Sequence, residues 1–341
     1  MRKNNPKYNA WLKRRQKHLE KRRGKKKKAS RNGPVRTTYE KKEKKITRPQ
    51  EAYVVSAPSN FSIKDNALEM SDFFDKVVSF TNEKQKDAYI MFDLSKVENI
   101  TADAIIYLLA VIKDLQKLGL AHHRFTGNLP NNQRAKEYFI QSGFLDYMQS
   151  KIQKDYTNSQ CVQIISNDKY NQLSTKTICD FTMKHCNTTK QSTRFLYVLI
   201  NEMMLNTYQH AYTTIDSNKL NKWYLFAQKE ANVLKYTFLD IGLGIPKTVQ
   251  KKWTERLWST ESAIISSALD GEFRTTTQKK YRGKGLPKIK ECVKEHKLTS
   301  FTIISNKGFC KLVDKNGELI IEENELQKPI FGTIYYWEIQ L

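Results

Sequence analysis

Residues 202–212 read EMMLNTYQHAY and belong to a longer segment whose apolar residues recur every three or four positions, which predicts a helix over residues 192–212. In that helix Glu202, Asn206 and His210 are each four residues apart, so they lie along nearly one face. A carboxylate can orient and deprotonate a water molecule, and an amide oxygen one turn away is a hard ligand that suits Mg²⁺. Glutamate and asparagine at this spacing are also common on helix surfaces, so the meaning of this face depends on the rest of the chain.

A strand followed by a glycine-rich turn comes next. Residues 236–239 are an apolar run that predicts a strand, and residues 240–246 continue as DIGLGIP. Gly242 and Gly244 directly after a strand let the backbone approach a flat ligand, and Asp240 can accept a hydrogen bond from an exocyclic amine such as that of adenine. Glycine pairs are also frequent in ordinary loops.

A second glycine-rich turn, YRGKGL at residues 281–286, precedes a predicted helix over residues 288–295. The free N–H groups and the positive dipole at such a helix N-terminus attract phosphates, and Arg282 and Lys284 add positive charge. A plain helix-entry turn in a basic region is the alternative interpretation. The segment FGTIYYWEI at residues 331–339 then predicts a strand.

The four motifs in this order resemble the GHKL, or Bergerat-fold, ATP-binding domain of DNA gyrase, the ninety-kilodalton heat-shock chaperone, histidine kinases and MutL-type mismatch-repair proteins. The run from Asn206 to Tyr212 is most similar to that of bacterial anti-sigma factor serine kinases. The resemblance implies an α/β sandwich over residues 191–341, with a mixed sheet packed on helices, that binds ATP and Mg²⁺. One position departs from the pattern, because Gln209 stands where many histidine kinases have a basic residue.

The resemblance also implies roles for individual residues. Glu202 becomes the general base and Asn206 the Mg²⁺ ligand, while Asp240 would read adenine and Thr333 would support the adenine side from the sheet. The glycines that would shape the adenine pocket are Gly242 and Gly244, and those that would wrap the phosphates are Gly283 and Gly285. The remaining residues expected to contact the nucleotide are His210, Ile245, Arg282, Lys284 and Leu286. Residues 246–282 would form the ATP lid, a loop expected to order over the nucleotide.

A small α/β domain is predicted over residues 51–150, because short apolar strands alternate with amphipathic helices. The predicted strands are 52–56, 88–94 and 123–126, and the predicted helices are 69–81, 102–118 and 131–141. Three segments, FDLSKV (92–97), TADA (101–104) and FIQSGF (139–144), resemble the STAS domain of bacterial anti-sigma factor antagonists. Phosphoregulated STAS domains have a serine at the helix start where this chain has Ala102, so the resemblance implies a docking or dimerising module. A small α/β domain of another lineage is the alternative.

Residues 151–190 are predicted to be a connecting region with two short strands, at 161–165 and 176–181. Charge is concentrated at the other end of the chain. The net charge of the 341 residues is +24, and residues 1–50 hold 21 Lys and Arg against 3 acidic residues. This composition predicts a basic disordered tail that binds nucleic acid or a membrane surface, or that is a solvated tail without a specific partner.

Other features of the composition exclude several classes of protein. The five cysteines contain no CxxC pair, which argues against a disulfide scaffold or a zinc site and favours a reducing, cytoplasmic environment. The longest apolar run is nine residues, so no transmembrane segment is predicted. The sequence contains no GxxxxGK[ST] loop, which excludes a Walker-type NTPase.

Two kinds of GHKL protein are disfavoured by the arrangement of the chain. A sensor histidine kinase needs an acceptor histidine on a helical hairpin, and no such hairpin is predicted around His122, His123 or His185. The gyrase, chaperone and mismatch-repair architectures place a transducer domain after the ATP-binding domain. None is expected here, because eight residues follow Thr333.

Two functions therefore follow from the motifs. The first is a Mg-ATP-binding regulatory protein that hydrolyses ATP or transfers its γ-phosphate to a Ser or Thr of a regulatory partner protein. The second is an ATP-gated binding module with little turnover, whose basic tail binds nucleic acid. A domain that no longer binds nucleotide is disfavoured by the intact Glu202, Asn206 and Asp240. The sequence leaves homodimer formation open.

Overall fold

The computed structural model of the protein describes residues 52–82, 89–117, 124–148, 160–210, 222–250, 259–273, 285–315 and 317–341. Within these ranges the chain forms a mixed α/β fold with twelve strands and nine helices. The strands are β1 (Ala52–Ser56), β2 (Asn60–Phe61), β3 (Tyr89–Asp93), β4 (Asn99–Ile100), β5 (Arg124–Gly127), β6 (Cys161–Asn167), β7 (Trp223–Glu230), β8 (Val233–Asp240), β9 (Ser300–Ser305), β10 (Gly308–Lys315), β11 (Glu318–Glu325) and β12 (Thr333–Gln340). The helices are α1 (Ala67–Asn82), α2 (Ala102–Lys117), α3 (Gln133–Gln141), α4 (Phe144–Tyr147), α5 (Gln172–Cys186), α6 (Arg194–His210), α7 (Ile245–Gln250), α8 (Glu261–Leu269) and α9 (Gly285–Lys294).

The described strands form three sheets. Strands β1, β3 and β5 form a parallel sheet in the order β1-β3-β5. Strands β2 and β4 form a second, two-stranded parallel sheet. The other seven strands form one large sheet in the order β11-β10-β9-β12-β8-β7-β6. Each pair of neighbouring strands in the large sheet is antiparallel. The prediction of a mixed parallel and antiparallel sheet in residues 191–341 is therefore wrong for the described strands. Two-residue turns at 231–232 and 306–307 join neighbouring strands, and such short connections permit only antiparallel pairing.

Helices α5, α6, α8 and α9 cover one face of the large sheet. Strand residues alternate between the two faces, and Tyr236 and Phe238 of β8 point into the core on this helix-covered side. The core contains stacked rings, with the centroids of Tyr236 and Trp337 5.2 Å apart. Helix α5 packs along α6, where the hydroxyl of Thr175 donates to Oδ1 of Asn201 at 2.8 Å.

The opposite face of the large sheet is covered by α2. Residues 52–82, 89–117 and 124–148, which we call the N-terminal unit, share one apolar core with this face. Ile105 and Leu109 of α2 belong to the same core as Tyr224 of β7 and Leu239 of β8. Helix α2 is buried on nearly all sides, because it lies between the large sheet and the rest of the N-terminal unit. Full burial of one Ile or Leu side chain contributes roughly 1.5–3 kcal/mol, so this shared core holds the N-terminal unit on the sheet.

Most predicted elements agree with the structure. The strand Ala52–Ser56 is confirmed, and the others except one are found with their described ends within three residues of the predicted ones. The predicted ends at residues 88, 118, 123 and 212 lie outside the described residues. The exception is the strand predicted at 176–181, which is wrong because these residues belong to α5. Oδ1 of Asn171 accepts hydrogen bonds from the N–H groups of Leu173 and Ser174 and caps this helix. Burial of one side of α5 against α6 outweighs the strand propensity of its Thr and Ile residues.

The sequence predicts neither a transmembrane segment nor a disulfide scaffold, and both points can be compared with the described part of the chain. No helix in those residues is long and apolar enough to cross a bilayer. All five cysteines are free thiols. The basic tail at residues 1–50 lies outside the described residues.

Candidate functional site

Three polar side chains lie side by side at one end of the large sheet. Asp240 ends β8, Thr333 begins β12 and Ser305 ends β9, and the register pairs Thr333 with both of the others. Each lies two positions from a strand residue of the helix-covered core, so all three point toward the helices. Their exposed fractions are 6%, 2% and 0%, so this polar row is enclosed rather than part of the outer surface.

The hydroxyl of Ser305 ties the polar row to the turn after β8. It accepts a hydrogen bond from the N–H of Ile245 at 2.9 Å and donates to the carbonyl of Gly332 at 3.1 Å. The hydroxyl of Thr333 lies 3.0 Å away. One side chain therefore holds the start of α7 and the start of β12 in fixed positions around the end of β8.

Asp240 is the acid of this row. Burial raises the pKa of its carboxyl to about 7, and the hydrogen bond from the N–H of Gly242 to Oδ1 at 2.9 Å partly offsets that rise. The carboxyl is therefore close to half ionised near neutral pH. No other group among the described residues donates to it, so the carboxylate retains the capacity to accept a hydrogen bond from a ligand.

Gly332 brings the row together. Its φ is +81°, and a Cβ at this position would overlap the carbonyl oxygen of Asp240 and lie 2.9 Å from Cα of Ile241. Residues with a side chain rarely adopt this conformation, and none fits this space. The chain can therefore turn into β12 directly against the end of β8.

Glu202 lies on α6 and contacts the start of α9. It is half-buried, and burial raises the pKa of its carboxyl. Gly285 is the first residue of α9, and a Cβ there would lie 2.8 Å from Oε2 and 3.0 Å from Cβ of Glu202. A larger residue would push the two helices apart, so this glycine keeps the carboxylate at the N-terminus of α9.

The other predicted site residues divide into three groups. The structure brings together at the end of the sheet Asp240, Gly242, Gly244, Ile245 and Thr333. On α6, Asn206 lies one turn beyond Glu202 and is partly exposed, and His210 is the last residue of the helix. Leu286 packs against the helix-covered core. Outside the described residues lie Arg282, Gly283 and Lys284.

Sequence reasoning missed Ser305 and Asn306. Asn306 has a φ of +53°, is buried, and lies with Oδ1 against Gly244, while Nδ2 is 3.5 Å from the carbonyl of Ile330. Oδ1 has no hydrogen-bond partner among the described residues. The available signal was the change from FTII (301–304), whose residues favour a strand, to the polar pair Ser305 and Asn306 where the strand turns.

The expected lid over residues 246–282 is only partly a loop. Helices α7 and α8 lie inside it, and Ile264, Ile265 and Leu269 of α8 are buried. Helix α8 packs on β10 and β11, and Ser262 N–H donates to Oε1 of Glu325 at 2.6 Å. The expectation of a loop is therefore wrong for Glu261–Leu269, because that segment has an apolar side that the sheet buries. Residues 251–258 and 274–284 lie outside the described part of the chain.

The start of α2, where the STAS resemblance concentrates, is buried. Ala102 is enclosed, with 6% of its surface exposed. Oδ2 of Asp103 accepts hydrogen bonds from the N–H groups of Ile63 and Lys64 at 2.8 and 2.9 Å, and burial raises the pKa of this carboxyl. These contacts fix the start of α2 inside the fold.

Comparison with protein-family models gives no match, and comparison with curated protein sequences gives none either. In the described residues no group of three or more His, Cys, Asp or Glu side chains is arranged to hold a metal ion.

Proposed function

We propose that this chain binds Mg-ATP at the end of the large sheet and hydrolyses it or transfers its γ-phosphate to a Ser or Thr of a partner protein. The observation that carries the proposal is the enclosed row of Asp240, Thr333 and Ser305 next to a glycine-rich turn. An isolated buried carboxylate is costly, and it is retained where a ligand can use it.

Asp240 would bind the adenine end of the nucleotide. Its carboxylate accepts one described hydrogen bond, and an exocyclic amine would supply a second. Guanine presents a carbonyl oxygen at the corresponding position, which an ionised carboxylate repels. The geometry therefore favours ATP over GTP. The turn next to Asp240 is anchored by Ser305 and contains Gly242, whose lack of a side chain would let a purine base approach the backbone.

Glu202 and the start of α9 would lie at the phosphate end of the nucleotide. The N-terminus of α9 supplies N–H groups and a positive dipole, and Gly285 keeps it close to the carboxylate of Glu202. Burial raises the pKa of Glu202, which makes this carboxylate a stronger base than an exposed one. Asn206, one turn further along α6, would hold Mg²⁺. The ion would supply charge neutralisation on the phosphates.

The acceptor of the phosphate is proposed to be water or another protein. The start of α2 offers Ala102 in place of a serine, and Ala102 belongs to the buried core that the N-terminal unit shares with the sheet. This position has no hydroxyl that could accept a phosphate. The N-terminal unit is therefore proposed to act as a docking or structural unit rather than as the substrate.

The test follows labelled γ-phosphate from Mg-ATP with the full chain. Label should appear as free phosphate, or on protein when candidate partners are added. Glu202→Gln should reduce turnover with little loss of ATP binding, whereas Asn206→Ala should reduce Mg²⁺-dependent binding as well. Glu318→Gln, at the exposed start of β11, is the matched control and should behave as the wild type.

Three outcomes separate the alternatives. Turnover that Glu202→Gln abolishes supports the ATPase or kinase. ATP binding that needs Asn206 without any turnover contradicts the enzymatic part and favours the ATP-gated binding module. Failure of the wild type to bind ATP in the presence of Mg²⁺ refutes the nucleotide site.

A further inference from the structure

Residues 326–332 connect β11 with β12 and contact the N-terminal unit. The N–H of Phe331 donates to the hydroxyl of Tyr107 on α2 at 2.8 Å. Tyr107 is 3% exposed, and its ring packs edge-on against Phe74 of α1 with centroids 4.6 Å apart. Burial raises the pKa of Tyr107 far above the physiological range, so its hydroxyl stays neutral. This hydrogen bond links the helix on one face of the sheet to the segment that leads into the site on the other face.

Two further contacts hold the same segment. Nζ of Lys328 lies 2.7 Å from Oδ1 of Asp72 and 2.9 Å from Oδ2 of Asp75, both on α1. Ile330 is buried in the core that the sheet shares with the N-terminal unit. Exposed ion pairs of this kind contribute little, so the buried side chain of Ile330 and the Tyr107 hydrogen bond carry most of the attachment.

The segment ends at the polar row. Gly332 follows Phe331 directly, and its backbone lies so close to the end of β8 that a Cβ at this position would overlap the carbonyl oxygen of Asp240. Its own carbonyl accepts the hydrogen bond from Ser305, which also holds the N–H of Ile245. A shift of residues 326–332 would therefore disturb the acid, the hydroxyl row and the glycine-rich turn together.

We propose that the N-terminal unit sets the affinity of the site for its ligand through residues 326–332, with Tyr107 as a positioning residue. A partner that pulls α2 away from the sheet would lower this affinity, and by reciprocity a bound ligand would strengthen the attachment of α2. The identity of that ligand as ATP rests on the proposed function above, whereas the mechanical coupling does not.

Two matched substitutions test the coupling on the full chain. Tyr107→Phe removes the hydroxyl that Phe331 uses. Tyr224→Phe is the control, because Tyr224 is buried in the same core and its hydroxyl has no hydrogen-bond partner among the described residues. Amide hydrogen exchange at Phe331, Thr333 and Gly242 is measured without ligand, and ATP affinity is then measured by titration.

Tyr107→Phe should increase exchange at these amides and weaken ATP binding, each roughly 3- to 10-fold, because one buried hydrogen bond is lost. Tyr224→Phe should change neither. Lys328→Met keeps the core intact and should raise exchange at the same amides by a smaller factor, which tests the coupling if Tyr107→Phe does not fold.

Each result has a defined meaning. Equal exchange in Tyr107→Phe and Tyr224→Phe overturns the coupling. Increased exchange with unchanged ATP affinity overturns the control of affinity by the N-terminal unit. If the wild type does not bind ATP, the proposed function fails, while the exchange comparison still decides whether Tyr107 holds the polar row.

Discussion

Replacing Asp240 by asparagine should stabilise the protein at neutral pH and remove part of the pH dependence of its unfolding. In the folded protein the pKa of this carboxyl is raised to about 7, against 3.8 for an unperturbed aspartate. The folded state therefore binds more protons than the unfolded state between these two values. It follows that the contribution of Asp240 to the free energy of unfolding falls as pH rises from about 4 to 7 and levels off above 7.

The size of the effect follows from the same pKa. Each pH unit inside this window changes the free energy of unfolding by about 1.4 kcal/mol, so ionising Asp240 costs the folded state roughly 4 kcal/mol in all. Asparagine has nearly the same shape and does not ionise. Its advantage over aspartate should therefore grow by ~2–3 kcal/mol between pH 5 and 7.

Urea unfolding of the wild type and Asp240→Asn at pH 5, 6, 7 and 8 measures this difference. Comparing the two proteins at each pH cancels the titration of other groups, including Asp103, whose pKa is also raised by burial. A difference in stability that stays constant from pH 5 to 8 would refute the reasoning, because Asp240 would then titrate at an ordinary pKa.

Three other predictions concern Gly332, Asp103 and the nucleotide preference of the proposed site. Gly332→Ala should destabilise the protein by about 2–5 kcal/mol, against about 1–2 kcal/mol for Gly317→Ala, in denaturant unfolding. Both glycines have a positive φ, but a Cβ at Gly317 meets open space, so equal losses would contradict the close approach at Gly332. Asp103→Ala should cost ~2–6 kcal/mol in the same assay, because two backbone N–H groups lose their acceptor, and a loss below 1 kcal/mol would count against these bonds. ATP binding and its preference over GTP should both strengthen as pH rises from 6 to 8, since ionised Asp240 accepts the adenine amine and repels the guanine carbonyl, and titrations that show no such change would argue against this role.

Some of the site was predictable from short stretches of sequence. The four-residue spacing of Glu202, Asn206 and His210 needs only a helix, and α6 is that helix. The position of Asp240 at the end of a buried strand follows from an apolar run that stops at an acid followed by glycines. Such local patterns can be recognised in the sequence because residues a few positions apart in the chain are also close together within one helix or strand.

The errors arise where packing overrides local preference. Residues 176–181 contain Thr, Ile and Phe, which favour a strand, yet the cap at Asn171 and burial against α6 make them helical. Residues 261–269 lie in what the resemblance implied to be a lid, yet α8 is fixed on β10 and β11 by its buried side. In both cases the secondary structure is determined by packing against a helix or strands that are distant in the sequence.

By itself the sequence determined several helices and strands, the concentration of charge in residues 1–50 and the positions of Glu202, Asn206 and Asp240 on their elements, because each depends on spacing over a few positions. Only the tertiary structure decided that Thr333 lies between Asp240 and Ser305, since β12 pairs with strands far from it in the chain. The same holds for the hydrogen bond between Tyr107 and Phe331, which are 224 positions apart. Contacts of this kind depend on how helices and strands pack against each other, and no local pattern encodes that packing.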